Sequence, residues 1–206
     1  LGENTGFSTG SGILLATENR HKLEELFALL GGSGLFVRSL RDFPSFALPP
    51  ETGETFRQNA AIKALYGARE SGLLTVADDS GLCVEHLGGA PGVHSARFAG
   101  EQKDDAANNA KLLSLLRGVP KEQRGAAFHC VIAVAGADGR LFFAEGVCRG
   151  LILDAPCGQN GFGYDPLFYL PELGRSFAQL TREEKNRFSH RARALEAALP
   201  IILREC

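Results

Sequence analysis

The sequence predicts a mixed α/β fold, a sheet with helices on its faces. Two observations carry this. Short apolar, β-favouring runs interleave with amphipathic helical stretches along most of the chain. One pair of β-rich segments, Ala126–Ala135 and Arg140–Cys148, is joined by Ala137-Asp138-Gly139 and reads as a hairpin, so part of the sheet is antiparallel.

In chain order, Ile13–Ala16 is a short strand that ends in the polar turn Thr17–Asn19. A helix is expected from Arg20 to Leu30, with Leu23, Leu26, Phe27 and Leu30 at helical spacing and Gly31-Gly32 ending it. Leu35–Arg38 is a second strand, and the proline-rich stretch Pro44–Pro50 a loop. Thr55 to Gln58 has the form of a capping box, opening a helix that reaches Glu70 and stops at Gly72. The run Leu73–Ala77 is expected to be a buried strand that empties into a Ser80-Gly81 turn, with Leu82–Glu85 as a further short strand. Gly88 to Gly100 is a loop, Asp104 to Leu116 a helix, and Gly158 to Pro166 a second glycine-dense loop. Thr181-Arg182-Glu183-Glu184 again forms a capping box, and Ser189 caps a last helix.

With 206 residues the chain makes one substantial α/β domain, in one lobe or two, and is short for two independent ones. A net charge of −2 removes the broad basic field of a general nucleic-acid binder, so any phosphate recognition must be local. The apolar runs are far too short to span a membrane, and no basic-then-apolar leader opens the chain. Leu1 to Gly12 are expected to take no part in the fold, as a disordered, appended or trimmed terminus. The five cysteines are scattered without a Cys-x-x-Cys pair, which favours reduced thiols in a cytoplasmic protein over zinc or disulfides.

The chemistry concentrates in four places. The adjacent carboxylates of Asp78 and Asp79 follow a buried strand, and open α/β sheets bind ligands at the carboxyl ends of strands. Two such charges repel each other, and a shared Mg²⁺ would relieve them; a polar turn with an Asx cap is the plainer alternative. Glu51 offers a third carboxylate. Thr17, Asn19 and Lys22 sit at a helix N-terminus, where unpaired N–H groups and the helix dipole suit a polyphosphate, although Thr17 or Asn19 is equally a simple cap. In the second helix Asn59 and Lys63 share the face of Phe56, Ala60 and Gly67, so Lys63 either meets an anion or snorkels at the core's rim. Finally, the loop holding Phe162, Gly163, Tyr164 and Asp165 could take a flat ring, Phe162 stacking on a base and Asp165 accepting from its N–H groups. Lys185, His190 and Arg191 supply donors near two helix starts.

Six ordered blocks then resemble the inosine triphosphate pyrophosphatase family, from about Ile13 to Leu199. They are Thr17-x-Asn19-x-x-Lys22, Glu51-Thr52-Gly53-x-Thr55-Phe56-x-x-Asn59, Ala77-Asp78-Asp79-Ser80-Gly81, Gly88-Gly89-Ala90-Pro91-Gly92 with Ser95-Ala96-Arg97, Gly161-Phe162-Gly163-Tyr164-Asp165-Pro166, and Thr181-x-Glu183-Glu184-Lys185 with Ser189-His190-Arg191. The resemblance implies hydrolysis of deaminated purine nucleoside triphosphates (ITP, dITP, XTP) to the monophosphate and pyrophosphate, which cleanses the nucleotide pool. It implies Asp79 as proton acceptor and Mg²⁺ ligand, with Glu51 and Asp78 completing the acidic site. Thr17, Asn19, Lys22 and Lys63 would hold the triphosphate and Ser80 would touch substrate nearby. Phe162 to Asp165, Lys185, His190 and Arg191 would form the base pocket. An elongated mixed sheet, two lobes flanking a central cleft and a homodimer are implied as well, with neither nucleic acid nor membrane as partner. A pyrophosphatase for pyrimidine or modified triphosphates, or a nucleotide-binding regulator without catalysis, are the alternatives. One residue departs from the pattern: Glu18 stands where the family commonly has glycine, so a carboxylate adjoins the phosphate loop and restricts its φ.

Overall fold

The computed structural model describes residues 12–43 and 47–206. Most of the terminal segment expected to stay outside the fold, and Pro44 to Phe46 of the proline-rich loop, lie beyond the described residues. Gly12 corrects the expectation at one position, because it opens the first strand with its backbone buried.

The strands are β1 (Gly12–Leu15), β2 (Phe36–Ser39), β3 (Leu74–Val84), β4 (Gly125–Ala135), β5 (Leu141–Ile152), β6 (Phe168–Leu170) and β7 (Arg175–Ser176). They form a single sheet in the order β2-β1-β3-β4-β5-β6-β7. β1 pairs parallel with β2 and β3, and every pairing from β3 onward is antiparallel. The sheet is therefore mixed, as predicted. The helices are α1 (Arg20–Leu30), α2 (Phe56–Ser71), α3 (Asp105–Leu115), α4 (Arg182–Phe188) and α5 (His190–Glu205). Their ends obey local chemistry. The Thr55 hydroxyl accepts from the N–H of Gln58, whose side chain returns to Thr55, and Gly72 closes α2 in the left-handed region at φ 71°. Thr181 with Glu184 caps α4 in the same way, and Ser189 accepts from Ala192 N–H at the start of α5.

The largest departure from expectation is β3. It runs unbroken through Asp78, Asp79, Ser80 and Gly81, joining what were read as two strands and a turn. The reason is its partner. β4 matches it residue for residue, from Thr75 opposite Ala135 to Val84 opposite Ala126. Gly81 is there for close approach instead of turning: a Cβ would lie 2.4 Å from the Gly92 carbonyl oxygen and from Ser95 Oγ. Smaller differences are a short 3-10 turn at Glu85–Leu87 just before the predicted loop, another at Gly92–Arg97 inside it, and the short strands β6 and β7. Phe27 was placed on the buried stripe of α1 but is 40% exposed, while Glu25 is buried. That exchange matters for the site.

Burial is divided between two regions of the long strands. Around β1 and the first half of β3, α2 packs on one face through Ala60, Ala64 and Ala68 against Ala77, Val131 and Ala133. Small side chains let helix and sheet approach closely. On the other face α1 and α5 pack Leu26, Leu30, Ala194, Leu195 and Ala198 against Ile13, Leu15, Val76 and Ile132. Around the far ends of β3 to β5, Leu82, Phe128, Leu112, Phe168 and Phe177 form a second region with α3, β6 and the 3-10 turn after β7. Each fully buried leucine or phenylalanine contributes about 1.5–3 kcal/mol. A cleft opens where the two regions meet.

Candidate active site

Strand β1 pairs with β3 only as far as Val76, after which the chain turns away at Ala16 and Thr17. Beyond that point one edge of β3 has no strand beside it, while β4 still holds the other edge. A cavity of about 630 Å³ opens at this bare edge. It collects Thr17, Asn19, Lys22, Glu51, Lys63, Asp79, Ser80, Phe162, Gly163, Tyr164, Asp165, Lys185, His190 and Arg191 from seven separate stretches of sequence. Every predicted site residue except Asp78 is on that wall.

Alternation along the strand separates the two aspartates. Asp79 faces α2. Its Oδ2 accepts from Asn59 Nδ2 at 3.1 Å and its Oδ1 from Ser80 N–H at 3.0 Å. Asn59, 1% exposed, is itself fixed by Gly53 N–H donating to its Oδ1 at 2.7 Å. Asp78 faces α1 and α5 and is wholly buried. Its Oδ2 accepts from Arg191 Nε and Nη2 at 3.2 and 3.1 Å and pairs with Lys22 Nζ at 3.2 Å. Burial works to raise the pKa of each. In Asp79 it prevails over Lys22 and Lys63, with help from the like charge of Glu51, so this carboxyl lies above the usual range. In Asp78 the cations Lys22 and Arg191 overcome burial and hold the carboxyl well below it.

The expected acidic trio does not form. Among the described residues no group of three or more His, Cys, Asp or Glu side chains is placed to hold a metal ion. Asp78 is committed to two cations on the other face of the sheet, and this is the physical reason. Glu51 does reach the cavity, paired with Lys63 Nζ at 2.5 Å. Lys63 is 5% exposed, so it is the buried lysine that meets an anion and not the snorkelling one.

At the phosphate end, Asn19 Oδ1 accepts from Lys22 N–H at 3.1 Å and caps α1, so the simple-cap reading of this residue is realised. The residue also borders the cavity. Thr17 Oγ1 accepts from Asn19 N–H at 3.3 Å. Glu18 is exposed at the cavity rim, and its backbone carries no strain, since Lys103 is the one non-glycine with positive φ among the described residues.

The other end is built on buried charge. Lys185 Nζ donates to Asp165 Oδ2 at 2.6 Å and to Glu25 Oε1 at 2.9 Å. Glu25 Oε2 accepts from Arg191 Nη1. Asp165 was expected to read base N–H groups, but it is 2% exposed and its Oδ2 also accepts from Phe162 N–H at 2.9 Å. It shapes the loop. Gly161 belongs to that turn at φ +77°, with space for a Cβ filled by Asp165 itself. Tyr164 likewise tethers the loop, its hydroxyl donating to the Ser95 carbonyl at 2.8 Å. Phe162 lies stacked on His21, centroids 5.1 Å apart, with Lys185 Nζ 4.7 Å from its ring centre. His190 stacks on Phe128 at 4.7 Å, and its Nδ1 is buried without a partner. Burial, together with the neighbouring cations Arg191 and Lys185, holds this imidazole well below its ordinary pKa, so it is neutral at physiological pH.

Sequence reasoning missed Glu25, His21, Ser95, Arg97, Lys103 and Asp105 as neighbours of the site. Glu25 left one signal, an acidic residue beside Leu26 and one turn after Lys22. Asp105 left none in sequence; its Oδ2 accepts from Gly163 N–H at 2.7 Å across the fold.

The architecture agrees with that of related chains of solved structure. The profile of the Ham1 family matches residues 13–201. The dITP/XTP pyrophosphatase of Desulforamulus reducens is 55% identical over 192 residues, which cover 93% of this chain and 96% of that protein. Among solved structures, the HAM1 protein of Coxiella burnetii is 42% identical with a TM-score of 0.85, over 95% of this chain and 99% of that one. The nucleoside-triphosphatase / dITP/XTP pyrophosphatase of Mycobacterium abscessus is 49% identical with a TM-score of 0.75, over 92% and 99%. The aspartate pair on an open strand edge and the donor-lined pocket beside it thus sit in a chain that belongs to the Ham1 family.

Proposed function

We propose that this protein is a nucleoside triphosphate pyrophosphatase that takes deaminated purine nucleotides of the dITP and XTP type, releasing the monophosphate and pyrophosphate. The carrying observation is one cavity with two unlike ends. One end pairs a helix N-terminus and two lysines with a carboxylate of raised pKa, and the other presents buried donors beside an aromatic ring. A volume of about 630 Å³ suits a ligand of this size. Two of the three relatives named above, those of Desulforamulus reducens and Mycobacterium abscessus, carry a dITP/XTP pyrophosphatase activity in their names.

The donor set fits a hard divalent cation. Asp79 and Glu51 both border the cavity, and Glu51's charge adds to the raised pKa of Asp79, a repulsion that a cation relieves. Mg²⁺ needs only one or two carboxylates when substrate phosphates complete its shell. Asp79 and Glu51 would hold it, and when bound it supplies charge neutralisation for the polyphosphate. The remaining work belongs to the chain. Lys22, Lys63 and the N–H groups at the start of α1 grip the phosphates. Asn59 holds Asp79 in place, and Asp79 accepts the proton of the attacking water. The water oxygen bonds the α-phosphorus, the bridging bond to the β-phosphate breaks, and pyrophosphate leaves with the electron pair. Positioning and charge stabilisation carry such a reaction. At the base end Lys185 and Arg191 donate to a 6-oxo group, whereas a 6-amino group meets donors and is rejected. His190 presents a neutral ring nitrogen to the base edge. Assembly as a homodimer and a cytoplasmic setting complete the proposal; the five cysteines are free, and no helix among the described residues is long and apolar enough to cross a membrane.

The test is pyrophosphate release from dITP, XTP and ITP against ATP, GTP, dTTP and UTP with added Mg²⁺, repeated with Asp79→Asn. Fast turnover of the first three, and a loss of at least about 100-fold in the variant, are expected. Preference for dTTP or UTP would assign a pyrimidine substrate, and tight binding without release would make the protein a regulator.

A further inference from the structure

We propose that Glu25 is the residue that sets base specificity, by fixing the donors that read the purine 6-oxo group and tying them to the strand that carries Asp79. This rests on the assignment of the base end given above. Glu25 touches no substrate in that assignment; it positions.

The argument is a count of donors. An ammonium has three N–H bonds in fixed tetrahedral directions. Lys185 gives one to Glu25 Oε1 at 2.9 Å and one to Asp165 Oδ2 at 2.6 Å. One remains, and the residue is otherwise sealed, at 5% exposure, with the cavity as its outlet. A guanidinium has five N–H bonds in a rigid plane. Arg191 gives Nε and one Nη2 bond to Asp78 Oδ2, the other Nη2 bond to Ser80 Oγ at 2.9 Å, and one Nη1 bond to Glu25 Oε2. Again one remains, on the nitrogen that Glu25 holds. The two spare donors are thus aimed by the two oxygens of one carboxylate. Without it Lys185 would turn about its one remaining anchor, Asp165, and Arg191 would have a second Nη1 bond unassigned. The pocket would then lose its distinction between an acceptor and a donor at the purine 6-position.

The same contacts form an unbroken series of alternating charge: Asp165, Lys185, Glu25, Arg191, Asp78, Lys22. It runs from the base loop to the phosphate loop, and Glu25 is its middle anion. Removing Glu25 leaves Lys185 and Arg191 as two buried like charges on neighbouring helices. Its helix, α1, also carries Lys22, so base-end and phosphate-end groups are mounted on one rigid element. Among the described residues Glu25 is the anion that pairs with both base-reading cations; the ring of Phe162 lies against both but offers no carboxylate to aim them.

The substitution is Glu25→Gln, which keeps the shape but supplies one acceptor where two are needed and turns an amide N–H₂ towards a cation. The assay compares kcat/KM for ITP with that for purine riboside triphosphate, which lacks any 6-substituent. In the parent protein ITP should lead by at least about 10-fold, the size expected for one well-placed hydrogen bond. In Glu25→Gln that ratio should fall towards unity, even if both absolute rates drop. A merely structural role would lower both rates alike, and an unchanged ratio overturns the proposal. Should Glu25→Gln fail to fold, Glu25→Asp keeps both oxygens and the charge but is one methylene too short to reach both cations. Its ratio should fall by at least about 3-fold, and an unchanged ratio again overturns the proposal. A parent protein that does not distinguish the two substrates overturns the base-end assignment itself, and the role of Glu25 with it.

Discussion

The substitution Asp78→Asn separates the two parts an aspartate can play here, charge partner or metal ligand. In the structure Asp78 Oδ2 takes three N–H contacts from Arg191 and Lys22 between 3.1 and 3.2 Å, all within a fully buried site. Asparagine keeps the volume and removes the charge. Arg191 then keeps one ion-pair partner, Glu25, and Lys22 loses its ion pair and keeps only the longer-range charges of Asp79 and Glu51. Breaking a buried pair by removing one partner costs about 3–5 kcal/mol. That is a large share of a domain stability of about 5–15 kcal/mol. For a chain of this length each kcal/mol moves Tm by about 2–4 °C, so the loss should be roughly 6–20 °C. The assay is thermal unfolding followed by circular dichroism, at neutral pH, with a chelator present so that metal binding contributes nothing. The effect also has a pH signature. The folded pKa of Asp78 lies below its ordinary value of 3.8, so its contribution is fully present above that value and is lost as pH falls below it. The gap between parent and variant should therefore hold from neutrality down to about pH 4 and narrow in more acid solution. A Tm within about 2 °C of the parent in chelator, with activity restored by raising Mg²⁺, would refute this reasoning and return Asp78 to the metal.

Two further outcomes test the surroundings of Asp79. Asn59→Ala removes the hydrogen bond that lowers the Asp79 pKa; because a base must be ionised to act, the acid limb of the kcat/KM profile should move to higher pH, and turnover should drop about 10–100-fold as the carboxylate loosens. An acid limb that stays in place would detach Asn59 from the proton acceptor. Gly81→Ala would put a methyl group 2.4 Å from the Gly92 carbonyl and Ser95 Oγ, which should cost about 1–3 kcal/mol by overpacking and lift the Gly92–Arg97 segment off β3; a variant with parental Tm and normal protection of the Leu82 amide against hydrogen exchange would show that the contact is slack.

Most elements were legible because their signals are local. The capping boxes at Thr55 and Thr181, the cap at Ser189 and the stop at Gly72 are short-range chemistry, and the structure has each of them. The alternation of Ala126–Ala135 and its turn likewise survive as the hairpin of β4 and β5. β3 was misread for a reason of the same kind. Ser80-Gly81 looks like a turn when seen alone, and only the pairing with β4, contributed by residues about fifty positions later, keeps the strand straight. The site was legible by residue type but not by partnership. Lys63 could be read as facing inward from helical spacing, yet nothing in sequence said that its anion is Glu51. Asp165 looked like a ligand group because its role, gripping Lys185 and the Phe162 N–H, depends on a lysine twenty residues away. Glu25 was hidden because a single charged residue in an amphipathic helix normally faces solvent.

The continuity of β3 explains how two adjacent acids coexist at all. Had they lain in a turn, both side chains would have shared one pocket, and their repulsion would have needed a cation merely to fold. On a strand, neighbouring side chains leave by opposite faces. Asp78 is neutralised within the protein by Arg191 and Lys22, and Asp79 alone is left with its pKa raised, held by the uncharged Asn59. The sheet thereby splits one dipeptide into an anchor and the carboxylate proposed as base. The anchor's price in buried charge is met without ligand, so the fold need not wait for metal or substrate. The base stays under-neutralised on a rigid element, which is the state a proton acceptor requires. The divalent cation proposed for Asp79 and Glu51 would then be recruited by the substrate's own phosphates. On this logic the folded protein should keep its Tm in chelator, and added Mg²⁺ should raise it appreciably only when a nucleotide is present; a large shift with Mg²⁺ alone would mean that the acids form a complete metal site without substrate.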